Sequence, residues 1–261
     1  MRKCDLSILA TEIHAAVRAV ARVPSPRPER RFHKHDEYVS YHLYASELRA
    51  VWKQFRHRFV ELSLRERLEL AAQLLATHIG ELGHMGISLL ALSADDLGPQ
   101  HFDYLDGLVD HFRSWSHVDS FAAEITQTLL RRHREATLKL LRKWNRSSNR
   151  FKRRASVVTF TRRVGESGQY TDEVLSLCDG LIWDSEDIVQ KGVGWTLKDN
   201  LRSAPDRILP YVKELRRKGV PSTITLYAIR DLRGAGREEV LAVGKGPGSG
   251  KPALGGPPVR P

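Results

Sequence analysis

The chain reads as an all-α protein, either a helical bundle or an α-solenoid. Apolar residues recur at helical spacing along almost its whole length, and turns of only a few residues separate the periodic stretches. Residues 5–21 set Leu6, Leu9, Ile13, Ala16, Val17 and Val20 on one stripe, which stops at Pro24, Pro26 and Pro28, a linker or sharp turn. Further helices are predicted over 45–58, 64–79, 81–93, 101–115, 117–143, 149–162, 170–179, 185–200, 205–218 and 222–232. Ser63 and Glu66 stand as a capping box at the head of one of them. Residues 155–161 and 222–227 are rich in β-branched side chains, yet neither has a partner run joined by hairpin turn chemistry, so both are read as helix. No repeat of fixed period is visible, which decides little for degenerate helical repeats.

From Gly244 onward the sequence is dominated by Gly and Pro and too poor in apolar groups to fold. The expected organisation is one helical domain over 1–235 and a disordered tail over 236–261. Gly250-Lys251 does not make a phosphate loop, because Lys245 stands where Gly is needed and Pro252 where Ser or Thr is needed. The 261 residues suffice for a sizeable core, and 41% hydrophobic with 28% charged residues is a globular composition. Lys and Arg number 42 against 31 Asp and Glu, a net charge of +11, which favours a polyanionic partner. Two cysteines are too few for a disulfide framework, and no signal-peptide core or apolar run of transmembrane length is visible. A cytoplasmic, nucleoid-associated protein with no membrane contact is expected.

Between Arg131 and Arg163 stand thirteen Lys and Arg with Glu135 as the only acid. A solvated helix face normally mixes both signs, so the run points to a phosphate backbone, whose counterions it would release on binding. Within and around it lie four residues of interest. Trp115 and Asp119 are four apart in Trp-Ser-His-Val-Asp, so on a helix they share a face, an aromatic platform beside a carboxylate. Such a pair suits a developing cation. Arg154 is one of the clustered cations, and Trp195 sits on an amphipathic stretch where Gly192 and Gly194 leave room for another backbone or a ligand. The residues alone leave a plainer choice open: tryptophans that pack the core, and an Asp119 that caps a helix or pairs with a cation. The eleven histidines show no His-Glu-x-x-His spacing, and no Cys-x-x-Cys appears, so neither a metal nor another cofactor is expected. No Gly-x-Ser-x-Gly elbow marks a nucleophile, and Asp95-Asp96 point to different helix faces.

Three separated motifs, Trp115-Ser-His-Val-Asp119, Arg154-Ala-Ser-Val-Val158 and Gln190-Lys-Gly-Val-Gly-Trp195-Thr-Leu-Lys198, stand in the order found in the DNA alkylation repair family of alkylpurine glycosylases, the AlkD-like proteins, which this chain resembles over roughly residues 30 to 232. Tyr44-Ala-Ser-Glu-Leu-Arg49 is similar to that family's Gln-Thr-Pro-Glu-x-Arg turn into a helix, without the Pro, and Leu226-Tyr-Ala-Ile-Arg230 replaces its C-terminal Arg-Glu-Ala element. The resemblance implies HEAT-like repeats in a curved α-solenoid around duplex DNA, and excision of positively charged N3- and N7-alkylated purines without a tight base-flipping pocket. It implies catalysis by Asp119, Trp115 and Trp195, with Arg154 clamping a backbone phosphate. Further DNA contacts are expected at Arg150, Lys152, Arg153, Tyr44 and Lys191, and an N-terminal aromatic contact at Phe32, His33 or Tyr38. The expected partner is double-stranded DNA containing alkylated purines, bound by a monomer. A non-catalytic relative that binds branched or distorted DNA, and a helical scaffold for RNA or protein, are the alternatives.

Overall fold

Asp5 opens the first helix by accepting the N–H groups of Ser7 and Ile8 at 3.0 and 3.4 Å, and α1 (Leu6–Ala19) buries Leu6, Leu9, Ile13 and Val17 on one face. In the computed structural model, which describes residues 5–30 and 37–244, the chain divides into two compact units, Met1–Thr159 and Phe160–Pro261. The proline cluster after α1 is a turn into β1 (Arg27–Pro28), which pairs antiparallel with β2 (Val39–Ser40). A proline is tolerated there because a two-stranded ribbon has free edges.

The rest of the first unit is helical. It runs through α2 (Ala45–Glu61), α3 (Leu64–Ala76), α4 (Gly80–Ala91), α5 (Phe102–Val109), α6 (Trp115–Phe121), α7 (Gln127–Arg132), α8 (Arg134–Asn145) and α9 (Arg150–Val158). Ser63 and Glu66 form the expected capping box of α3, Ser63 N–H to Glu66 Oε2 at 2.9 Å and Glu66 N–H to Ser63 Oγ at 3.3 Å. Neighbours in sequence pack on each other, α3 on α4 and α8 on α9. The second unit holds α10 (Arg162–Glu166), α11 (Thr171–Asp179), α12 (Asp187–Asn200), α13 (Pro205–Arg217), α14 (Ser222–Ala228) and α15 (Ala235–Ala242). The fold is all-α; of the β-branched stretches, 222–227 lies in α14 and 155–158 in α9, with 159–161 beyond its end.

Several boundaries differ. The helix expected over 101–115 ends at Val109, because Phe112 turns fully into the core and Ser114 caps a new helix. The helix expected over 117–143 contains a wide π turn at Ala122–Thr126 and breaks at His133, whose φ of −136° is not helical. That expected over 149–162 ends at Val158, and Arg162 reverses the chain with a φ of +57°. Of the tail expected from 236, residues 236–242 are helical in α15, with Val240 buried. Residues 245–261, Phe32, His33 and His35 lie outside the described residues. Tyr38 is buried, its ring filling the space that Gly80 leaves by lacking a side chain, so of the three aromatics considered as an N-terminal DNA contact it is a core residue.

Candidate active site and nucleic-acid interface

Trp115 is the first residue of α6, and its place follows from Ser114. The extended Ser114 accepts the Ser116 N–H on Oγ at 2.9 Å, which starts the helix and leaves the indole 36% exposed. The opposite side of α6 is tied to α4: His117 Nε2 lies 3.0 Å from the Gly80 carbonyl and His84 Nε2 lies 3.1 Å from Ser116 Oγ. Val118 and Phe121 are fully buried, so one apolar side anchors the helix and the Trp115–Asp119 side is what remains. At the end of α6 the wide turn is pinned to the end of α9, with Thr126 and Thr159 hydroxyls 2.8 Å apart and Gln127 Nε2 donating to the Thr159 carbonyl at 3.1 Å.

Asp119 meets Arg154 across the α6–α9 contact. Arg154 Nε donates to Oδ1 and Nη2 to Oδ2, both at 2.9 Å, with side chains only 11% and 6% exposed. This forked geometry fixes the plane of the carboxylate and leaves its outer lone pairs for another donor. The structure thus brings together three of the four residues of the motif set, Trp115, Asp119 and Arg154, but gives Arg154 a carboxylate where a phosphate was expected. A phosphate could take the same two N–H groups only by breaking a nearly buried pair.

The other expected DNA contacts on α9 are also engaged within the protein. Lys152, 10% exposed at its side chain, lies between Asp106 at 3.1 Å and Asp110 at 2.9 Å. Arg153 donates to the Ser147 and Ser148 carbonyls at 2.9 and 2.8 Å, capping the end of the preceding turn, and Arg150 pairs with Glu37. Asp106 collects Lys143 at 2.8 Å and the buried Trp144 Nε1 at 2.6 Å as well. Burial alone would raise the Asp106 carboxyl, but the hydrogen bonds from Lys143, Lys152 and Trp144 outweigh it and hold the group below its ordinary range. Tyr44 is 52% exposed at the head of α2, with the Arg22 guanidinium 3.8 Å from its ring centre and Glu47 gripping the same arginine. It borders an open cleft of about 670 Å³ walled by Tyr38, Trp52, Glu81 and His84, which Ser120 of α6 also reaches.

In the second unit Trp195 is half-buried on α12. Gly194 beside it admits another backbone: a side chain there would meet Tyr227 Cβ at 2.6 Å and the Ile224 carbonyl at 2.9 Å, so α14 occupies that space. Lys191 pairs with Asp187 one turn earlier at 2.7 Å and remains exposed enough to be reached from solvent. The Arg162 guanidinium lies 5.5 Å from the Trp195 ring centre. Neither Ser114 nor Arg162 was singled out by sequence. Ser before an apolar run is a capping signal that was available at Ser114, whereas nothing local announces the reversal at Arg162.

Among the described residues no group of three His, Cys, Asp or Glu side chains gathers as a metal site, and no helix is long and apolar enough to cross a membrane. The family model described as DNA alkylation repair enzyme matches residues 13–232. A solved structure described as a predicted DNA alkylation repair enzyme from Enterococcus faecalis is 15% identical, superposes with a TM-score of 0.63 and covers 76% of this chain and 91% of its own, a likeness of fold. The Pseudomonas fluorescens alkylpurine DNA glycosylase AlkC, bound to DNA containing an abasic site analog, is 18% identical with a TM-score of 0.44, covering 91% of this chain and 65% of that one. No curated protein matches the chain. Because the family match runs through nearly all the helices that carry Trp115, Asp119, Arg154 and Trp195, this chain belongs to the DNA alkylation repair enzyme family.

Proposed function

We propose that the chain is a DNA glycosylase that excises positively charged N3- and N7-alkylated purines from duplex DNA, without a tight base-flipping pocket. The observation that carries this reading is the exposed Trp115 indole one helical turn from a carboxylate whose two oxygens Arg154 holds in a fixed plane. An alkylated purine already carries positive charge and departs with little help from a general acid. The demand shifts to the sugar, which gains oxocarbenium character as the glycosidic bond breaks. Asp119 supplies negative charge beside C1′ and orients the attacking water, and Arg154 positions Asp119. The π face of Trp115 favours the same cationic sugar, a role that the family resemblance implies for Trp195 as well. The protein acts as a monomer on double-stranded DNA in the cytoplasm, needing no cofactor.

The test is a duplex bearing one N7-methylguanine, incubated with the protein and then treated with alkali to reveal strand breaks at the abasic site. Breaks are expected with the unaltered chain and not with Asp119→Asn, whose duplex affinity should stay nearly unchanged because the carboxylate acts on charge that develops in the transition state. Chelator should leave the reaction intact, and a uracil duplex should be a poor substrate because its leaving group needs protonation. Excision retained by Asp119→Asn, or uracil processed as fast as N7-methylguanine, overturns the reading. Duplex binding with no base release from either lesion favours a non-catalytic DNA-binding relative.

A further inference from the structure

Arg162 is held in a left-handed backbone conformation, φ +57°, that residues other than glycine rarely adopt. The hold comes from α12. The Arg162 N–H donates to Asp199 Oδ2 at 2.6 Å, and Asp199 is nearly buried, with Lys198 Nζ 3.0 Å from its other oxygen. Trp195 lies one helical turn before Asp199 and therefore shares its face. Fixing the backbone of residue 162 on Asp199 sets the Arg162 side chain across the Trp195 ring, 5.5 Å from its centre. Placed over a ring, a guanidinium keeps N–H groups free for a planar, bidentate acceptor. The side chain is exposed, and among the described residues no acidic group pairs with it. Several cations of the two units differ in this respect: Arg154, Lys152 and Arg150 in the first and Lys191 and Lys198 in the second each have a carboxylate partner.

We propose that Arg162 binds a phosphate of the DNA backbone, with Trp195 and Asp199 as the supports that position it. The inference rests on the reading of the chain as a DNA glycosylase, and it moves the phosphate-gripping role from Arg154, which holds Asp119, to Arg162. A strained backbone and an oriented, unneutralised cation together go beyond what a cation–π contact serving packing alone requires. Anion recognition is the chemistry that remains.

The experiment measures binding to a fluorescently labelled duplex containing a tetrahydrofuran abasic site over a series of salt concentrations. Arg162→Gly removes the cation while tolerating the positive φ, and Arg162→Asn does the same with a side chain that also accepts that conformation. Both should melt no lower than the unaltered chain, and both should reduce the slope of log affinity against log salt by about 0.9, the share of one phosphate. Arg162→Lys should restore the slope. An unchanged slope in the glycine and asparagine variants, with salt-dependent binding by the unaltered chain, overturns this inference and leaves the glycosylase reading standing. A lowered melting temperature in both variants also overturns it, because the arginine is then a packing residue. Absence of salt-dependent duplex binding by the unaltered chain overturns both.

Discussion

α8 and α9 carry consecutive parts of one basic run and use them differently, although Lys143 of α8 joins Asp106 as Lys152 of α9 does. On α9, Arg150 meets Glu37, Lys152 lies between Asp106 and Asp110, Arg153 caps two carbonyls and Arg154 takes Asp119. On α8, Lys139 and Arg142, with Arg146 just beyond its end, are exposed and have no acidic partner among the described residues. The local composition of the two stretches is alike. What separates them is the neighbour: α9 faces acids delivered by α5 and α6, whereas the outer side of α8 faces water. A count of cations therefore overstates the charge left for a polyanion, because burial pairs some of it off first.

The largest effect should follow from Arg154→Ala. The substitution leaves a nearly buried Asp119 without its partner, and breaking a buried pair costs about 3 kcal/mol of stability. Base release should fall with it by about a hundredfold or more, since the carboxylate loses its orientation. Urea unfolding and the N7-methylguanine assay measure the two losses separately. Arg154→Lys should recover part of the stability and little of the activity, because one ammonium cannot grip both oxygens. If Arg154→Ala left the stability unchanged, the division between the two helices would be wrong where it is drawn most sharply.

Lys152→Met comes next. Replacing it leaves Asp106 to Lys143 and Trp144 and the half-exposed Asp110 to Asn149, so a loss of about 1 kcal/mol is expected from urea unfolding. The salt dependence of duplex binding should barely change, since this ammonium already has two carboxylates. A large drop in that dependence would show that Lys152 leaves its acids for DNA.

Much of this was legible in the sequence, and the gaps have physical causes. Helical spacing located nearly every helix, and Ser63 and Glu66 announced their cap correctly because both partners lie within one turn. Trp115 and Asp119 were placed on one helix face for the same local reason. The single long helix expected over 117–143 failed because an unbroken apolar period does not reveal a π turn at 122–126 or the non-helical His133. The two-residue strands β1 and β2 are too short to carry a period. The role of Arg154 was hidden for a different reason: its partner is 35 residues away, and charge pairing across helices is a tertiary fact. From sequence, a cation destined for Asp119 and one destined for a phosphate look the same.

Acid should weaken the α5 carboxylate that α8 and α9 both hold, at smaller cost. Asp106 is held below its ordinary carboxyl range by the groups that donate to it, so the folded state favours the ionised form more than the unfolded chain does. That contribution is complete above the unfolded value, near 3.8, and is lost as pH falls through the lower folded value. Stability measured by urea at stepped pH should thus decline below about pH 4, in the range where an unfolded aspartate titrates. Asp106→Asn should remove part of that decline. Replacing Lys139, Arg142 and Arg146 should leave its shape unaltered, because among the described residues no carboxylate pairs with them.

The smallest effect on the fold should come from those same three positions. With Lys139, Arg142 and Arg146 all changed to Gln, each substitution alters an exposed side chain, Arg146 closing α8 through its backbone N–H, and such changes stay within about 0.5 kcal/mol. Melting should therefore hardly move. Duplex binding gives the opposite expectation, because charge left in solvent is charge a phosphate can reach. The slope of log affinity against log salt should fall by about 0.9 for each of the three that meets the backbone. A slope that drops in Lys152→Met but not in this triple variant would invert the comparison. The buried side of the run would then be the one that opens to DNA, and the pairs seen on α9 would be a resting arrangement exchanged for phosphates on binding.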